Sequence, residues 1–178
     1  HPRDQFTLAS KLPMSMINSA EQQQTIFEEQ LEKCGVDYFD YYLLHNLTKI
    51  SYKKAEEFGS FAFAMQKKAE GKVRHVGFSF HDEAALLDEI LTKHPEVEFV
   101  QLNYIDWDSQ TIQSRACYEV CVKHNKPVIV MEPVKGGILV NSLPQKAKDL
   151  YEQANPDMSV ASWAVRFAAS LDNVMMVL

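Results

Sequence analysis

The sequence predicts an α/β fold, a TIM (β/α)8-type parallel barrel that is incomplete here, with about six βα units. Three observations predict it. Short apolar strands alternate with amphipathic helices along the whole chain. The repeat is ~30 residues, which matches eight units in the ~250 residues of a closed barrel. An open doubly wound sheet would advertise a glycine-rich phosphate turn after its first strand, and the sequence has none.

Residues 6–12 read as the first strand. Ser19 starts the next element: a capping serine with Gln22 three positions later predicts a capping box. Ile26, Phe27, Leu31 and Cys34 form an apolar stripe, and Gly35 closes the helix. Residues 38–45, Tyr-Phe-Asp-Tyr-Tyr-Leu-Leu-His, are strongly strand-like. A second helix is predicted from about Tyr52, with Phe58, Phe61, Ala62, Met65 and Ala69 on its buried face and Gly71 at its end. Residues 73–79 give the next strand. Leu86, Leu87, Ile90 and Leu91 mark a helix, with Pro95 beyond it. A strand at 98–104, a helix at 111–124 and a strand at 127–131 come next. After Gly136 and Gly137 comes a looser region with Pro144 and a short helix at 147–154. An apolar helix at 158–170 and a strand at 173–178 end the sequence. No glycine-rich linker divides these units, so residues 1–178 are read as one partial barrel domain.

Composition narrows the function. The net charge is −6, and no Lys/Arg run with interleaved aromatics stands out, which argues against a nucleic-acid partner. No stretch of ~18 apolar residues offers a membrane span. Three cysteines, Cys34, Cys117 and Cys121, are too few and too odd in number for a disulfide framework, and they suit a reducing cytoplasm. Cys117 and Cys121 share a helical face, but no nearby His or second Cys pair completes a zinc or iron-sulfur site. They are expected to pack as small hydrophobes and bind no metal.

In a βα barrel the active site forms at the C-terminal ends of the strands. The first strand ends at Lys11, the second at His45 and the third at Ser79. The fourth carries Gln101 and Asn103, two apart and so on one face. The fifth ends Met131-Glu132-Pro133, followed by Lys135, Gly136 and Gly137. Singly, each has an ordinary structural reading as a solvated charge, a satisfied histidine or a loop-binding amide. Five consecutive strands ending this way point to one mouth.

Several of these segments together resemble the aldo-keto reductase family: Ala-Ser-Lys-Leu at 9–12, the strand at 38–45 and Gly-Lys-Val-Arg-His-Val-Gly-Phe-Ser at 71–79. Val-Gln-Leu-Asn-Tyr at 100–104 and Met-Glu-Pro-Val-Lys-Gly-Gly at 131–137 complete the set. The Met-Glu-Pro form resembles a microbial branch that often carries a downstream ferredoxin-like iron-sulfur module. No such module is in this sequence. The resemblance implies an NAD(P)H-dependent reductase of aldehydes or ketones with a tetrad of Asp, Tyr, Lys and His, in which Lys11 and His45 match the last two. A tyrosine would donate the proton, an ammonium beside it would favour the phenolate, and the histidine would orient the carbonyl.

By the same resemblance, Ser79 and Gln101 match positions that hydrogen-bond the nicotinamide carboxamide. Asn103 faces the same way as Gln101. Met131 falls where relatives stack an aromatic on the nicotinamide ring, a role a thioether can fill. Glu132, Lys135, Gly136 and Gly137 lie where the family loop nears ribose and phosphate. Phe80 stands where relatives often carry Asn. The cofactor implied is NADPH, with NADH open, and the partner a small carbonyl compound. Oligomeric state is unread.

The six strands match the third to eighth of the family barrel. The tetrad Asp and Tyr have no counterpart here, and Tyr41 and Tyr42 do not fill the gap. The chain is therefore expected to be part of a longer polypeptide. Two other functions compete: a cofactor-binding regulatory subunit of the same family, and an unrelated metal-dependent barrel enzyme. The latter needs clustered carboxylates or histidines, and the tips offer one carboxylate, Glu132.

Overall fold

The computed structural model of the protein describes residues 1–103 and 113–178. Six strands form one sheet: β1 (Ala9–Pro13), β2 (Phe39–Leu47), β3 (Val73–Phe80), β4 (Phe99–Asn103), β5 (Val128–Met131) and β6 (Val174–Val177). Their order in space is their order in sequence, and every neighbouring pair is parallel. This excludes the doubly wound rival, whose strand order reverses at a switch point. A sheet that adds each parallel strand beside the last is the wall of a barrel.

Helices α1 (Ala20–Cys34), α2 (Lys49–Glu57), α3 (Ser60–Ala69), α4 (Ala84–Lys93) and α5 (Ser114–Lys123) connect the first five strands. Between β5 and β6 lie α6 (Ile138–Asn141), α7 (Gln145–Ala154) and α8 (Val160–Ala169). Tyr104 and Thr111, at the ends of a predicted strand and a predicted helix, lie outside the described residues.

Alternation along the strands sorts the core into two layers. Leu12, Tyr42, Leu44, Val76, Phe78, Val100, Leu102, Val128 and Val130 pack against helix residues such as Phe27, Phe61, Leu87, Ile90 and Cys121. The opposite face carries a small separate cluster, Leu43, Phe99 and Ile129, with Tyr41 and Met176 against it. That second face is the barrel interior.

Gly77 shows how tightly this interior is filled. It sits in register with Leu43 on one side and Phe99 on the other. A Cβ there would lie 2.7 and 2.8 Å from Phe99 ring carbons and would strike the Phe99 carbonyl oxygen. The absence of a side chain lets the Phe99 ring fold over the β3 backbone. Gly77→Ala is expected to destabilise the protein by roughly 2–3 kcal/mol through overpacking. A urea midpoint shift checks it. Phe99→Leu should restore only part of the loss, because the clash with the backbone carbonyl persists.

Some local features differ from the sequence reading. Ser19 precedes α1, but its side chain caps no backbone N–H. The Gln22 side chain instead accepts from the Asn18 backbone N–H at 2.8 Å, so only one arm of the expected capping box exists, shifted by one residue. Gly35 ends α1 in the left-handed region, φ 63°, as expected. Cys34 is exposed rather than part of the stripe. The helix predicted from Tyr52 is two helices, broken at Gly59 with φ 63°. The break turns the buried face onto Tyr52, Ala55, Phe61, Ala64 and Lys67, and leaves Ala62 and Ala69 exposed.

Candidate active site

The strands run further than the sequence reading placed them: Lys11 is the middle residue of β1, which ends at Pro13, and His45 lies two residues before the end of β2 at Leu47, while Ser79, Gln101, Asn103 and Met131 stand in the last three residues of β3, β4 and β5. Lys11 pairs in register with Leu43, which points into the interior. The backbone at Lys11 is anchored from α1: Gln30 Nε2 donates to the Lys11 carbonyl at 2.8 Å, and the Tyr42 hydroxyl donates to Gln30 Oε1 at 3.0 Å. Half-burial of the ammonium holds the Lys11 pKa below its ordinary value. His45 comes two positions beyond Leu43, in register with Pro13. Desolvation of the imidazole and the nearby Lys11 charge together lower its pKa. Both effects disfavour the imidazolium form of His45.

The tip of β2 is irregular. The β2–β3 register shifts between Leu44 and Leu47, and Asn46 takes φ 59°. The Asn46 backbone N–H donates to Ser79 Oγ at 2.8 Å. Ser79 is fully buried. Its neighbour Phe80 turns to the helix layer and packs near Phe78, with ring centroids 6.3 Å apart.

Ser79 pairs with Gln101, Gln101 with Ile129, and Asn103 with Met131. Gln101 is buried, and its Nε2 donates to the Met131 sulfur at 3.1 Å. A thioether is a weak acceptor, so this contact is readily exchanged for a stronger one. The Asn103 amide donates to Glu132 Oε2 at 2.8 Å. Glu132 itself has φ 56°, an uncommon conformation for a residue with a side chain. Lys135, Gly136 and Gly137 form a 3-10 turn just beyond, with positive φ at all three. Nothing lies within 4 Å of a Cβ built on Gly136, so the turn presents open backbone.

The sequence reading did not single out His81. It lies just past β3, and its backbone N–H donates to the Leu47 carbonyl at 3.0 Å. Burial lowers its pKa. Glu132 pulls it up, and His45 and Lys11 push it down. His81 is thus within range of the Lys11, His45 and Glu132 charges, and it lines a cavity with Phe80, Leu102, Asn103, Ser114 and Cys117. The available signal was its place one residue beyond Phe80 at a strand tip, where a histidine also has an ordinary loop reading.

The tyrosines of β2 stand elsewhere. Tyr42 faces the helices, where burial raises its pKa strongly. Tyr41 lies one layer below Lys11, in register with Ala9, against His75 and Phe99 at ring-centroid distances of 5.2 and 5.4 Å. Cys117 and Cys121 are buried in the helix layer, and burial pushes the Cys117 thiol up to about 12. Thiols held protonated are poor metal ligands. Among the described residues, no group of three or more His, Cys, Asp or Glu side chains could hold a metal ion. No helix among them is long and apolar enough to cross a membrane.

Solved structures share this fold. The thermostable aldo-keto reductase Tm1743, in complex with the inhibitor epalrestat, superposes with a TM-score of 0.79 at 20% identity, covering 99% of this chain and 62% of its own. An aldo/keto reductase from Klebsiella pneumoniae in complex with NADP and acetate gives 0.74 at 22% identity, covering 99% and 60%. One from the same organism in complex with NADPH gives 0.71 at 23%, covering 99% and 60%. The chain thus spans about three fifths of the length of these structures. No curated protein matches it. The sequence model described as the aldo/keto reductase family matches residues 1–178, the whole chain, and the protein belongs to the aldo-keto reductase family.

Proposed function

We propose that the protein is an NADPH-dependent reductase of small aldehydes or ketones, with Lys11 and His45 at the reacting carbonyl. One observation supports the reading: Lys11 and His45 stand on neighbouring parallel strands, near enough for the Lys11 charge to act on the imidazole, and the Gln101 amide is buried on the Met131 sulfur. A cytoplasmic setting fits three cysteines with no framework.

The residues present fit a nicotinamide dinucleotide. Gln101 can exchange the Met131 sulfur for a carboxamide, with Ser79 beside it in register. Met131 offers a polarizable face to a flat ring. Asn103 and Glu132 offer polar groups for a ribose. Lys135, Gly136 and Gly137 offer a cation and open backbone for phosphate. The bound cofactor supplies the hydride.

The chain's own residues supply position and field. His45, whose imidazolium form is disfavoured by desolvation and by Lys11, donates a hydrogen bond to the substrate carbonyl and orients it. The Lys11 ammonium lies in a partly desolvated site, where its field on a developing oxyanion and on the proton donor is strong. The mouth favours negative charge on oxygen more than it favours a neutral carbonyl, which is the differential binding that speeds a reaction.

Titration of the full-length protein with NADPH, monitored by nucleotide fluorescence, tests the cofactor assignment. Gln101→Ala is expected to weaken binding about fivefold, the worth of one neutral hydrogen bond at ~1 kcal/mol. Unchanged affinity contradicts the assignment. Binding without consumption of NADPH on adding a simple aldehyde supports the regulatory reading instead.

A further inference from the structure

The bond between Ser79 and Asn46 explains how His45 is held. Asn46 is the residue after His45, at the point where the β2–β3 ladder loses register and the backbone turns left-handed. A regular parallel ladder pairs each N–H that points at a neighbouring strand with a carbonyl of that strand. At this irregularity the Asn46 N–H bonds instead to the Ser79 side chain, at 2.8 Å. Leaving such a group unpaired costs ~1–3 kcal/mol when buried. Two more bonds close the turn. Ser51 Oγ donates to the Asn46 carbonyl at 2.7 Å, and the His81 N–H donates to the Leu47 carbonyl at 3.0 Å. The backbone that leaves His45 is therefore pinned from both α2 and β3, and Ser79 is the only pin of the three that is a fully buried side chain.

We propose that Ser79 is a positioning residue for His45: its hydroxyl holds the left-handed turn at Asn46 and so fixes the imidazole at the mouth. The inference rests on the reading of His45 as the carbonyl-facing group. It is compatible with a contact from Ser79 to cofactor, because the bond from Asn46 uses only an acceptor site and leaves the O–H to donate.

Among the described residues, the charged groups that act on His45 are Lys11 from β1 and His81 beyond β3, and Glu132 beyond β5 acts on His81 in turn. Partial burial and the Lys11 charge hold His45 below 6.5. His45 is an exposed residue on the rim, and an imidazole released from this place moves away from Lys11 and titrates closer to its ordinary value. The test tracks the His45 resonances by NMR across pH in the full-length protein, alongside kcat at saturating NADPH. Ser79→Ala should raise the His45 pKa toward its ordinary value and lower kcat by roughly tenfold or more, since small misplacements near a reacting centre cost that much. Ser79→Cys, near in shape but a weak acceptor, should shift both in the same direction and serves if the alanine variant folds poorly. Asn46→Gly keeps the N–H and suits a positive φ, so the His45 pKa should stay in place. A His45 pKa unmoved by Ser79→Ala and Ser79→Cys overturns the proposal. His45→Gln separates the two ideas. If it reduces carbonyls normally, the catalytic reading of His45 falls, while the resonance shifts still decide whether Ser79 positions it.

Discussion

Lys11→Met in the full-length protein is expected to lower turnover by roughly 10²–10⁴-fold, with NADPH affinity changed by less than about threefold. Methionine keeps the length and apolar stem of lysine and removes the charge. Lys11 sits half-buried on the interior face, with its backbone fixed by Gln30, so the substitution leaves the strand in place. What is lost is an ammonium in a partly desolvated site, where charge acts strongly on a developing oxyanion. Its removal also lifts one of the two causes that depress the His45 pKa, which should rise. The sign is set by charge: a neighbouring cation disfavours imidazolium, so deleting the cation favours it. Equal losses in kcat and in NADPH affinity would contradict this role, because they would place Lys11 in cofactor binding.

The largest expected effect on stability is at the opposite end of the sheet. Asp40 is buried at the start of β2, with both carboxylate oxygens engaged. One accepts from Arg3 at 2.6 Å and from the Leu8 N–H at 2.8 Å, the other from Arg74 at 2.8 Å. The two guanidiniums also lie over the Tyr38 ring, 4.0 and 4.3 Å from its centroid. Burial alone would raise the Asp40 pKa. The Leu8 N–H, the Arg3 hydrogen bond and the two cationic charges outweigh it and hold the pKa below its ordinary value. Asp40→Ala should destabilise the protein by about 3 kcal/mol, at the low end for a broken buried pair because both arginines keep solvent contact. Asp40→Asn should cost less, since its amide oxygen can still accept from Leu8. A folded-state pKa below the unfolded one means that this contribution is present in full above the unfolded carboxylate pKa of about 3.9 and is lost as pH falls through the folded value. Urea unfolding of wild type and Asp40→Ala at neutral pH and again near pH 3 should show the gap between them shrinking in acid. A gap that does not change with pH contradicts the ion-pair reading.

Period and punctuation along the chain were enough to reveal its coarse architecture. Alternating apolar strands and helices, with Gly35 and Gly71 after two of those helices, carried the six strands and their parallel class. Strand parity put Gln101 and Asn103 on one face without coordinates, whereas Lys11, read as the tip of the first strand, is the middle residue of β1. Features that depend on contacts between distant residues were not legible. One helix was expected from about Tyr52 to Gly71, and the break at Gly59 follows from α3 packing beside β3. The role of Asp40 depends on Arg3 and Arg74, 37 and 34 residues away, and no local pattern pairs them. Ser79 carried a cofactor expectation from its segment, but its bond to Asn46 arises from an irregularity in a ladder that no local pattern announces. His81 was hidden for a related reason, since its neighbours Lys11, His45 and Glu132 come from three different βα units.

Hydride transfer at the mouth formed by Lys11 and His45 is the central claim. The measurement that tests it most directly traces deuterium from NADPH, labelled at the transferable position of the nicotinamide, into a simple aldehyde in the presence of the full-length protein. Reduction at this mouth predicts an alcohol carrying the label on its carbinol carbon, formed by wild type and nearly abolished by Lys11→Met. Unlabelled aldehyde recovered beside bound, unoxidised cofactor would contradict it.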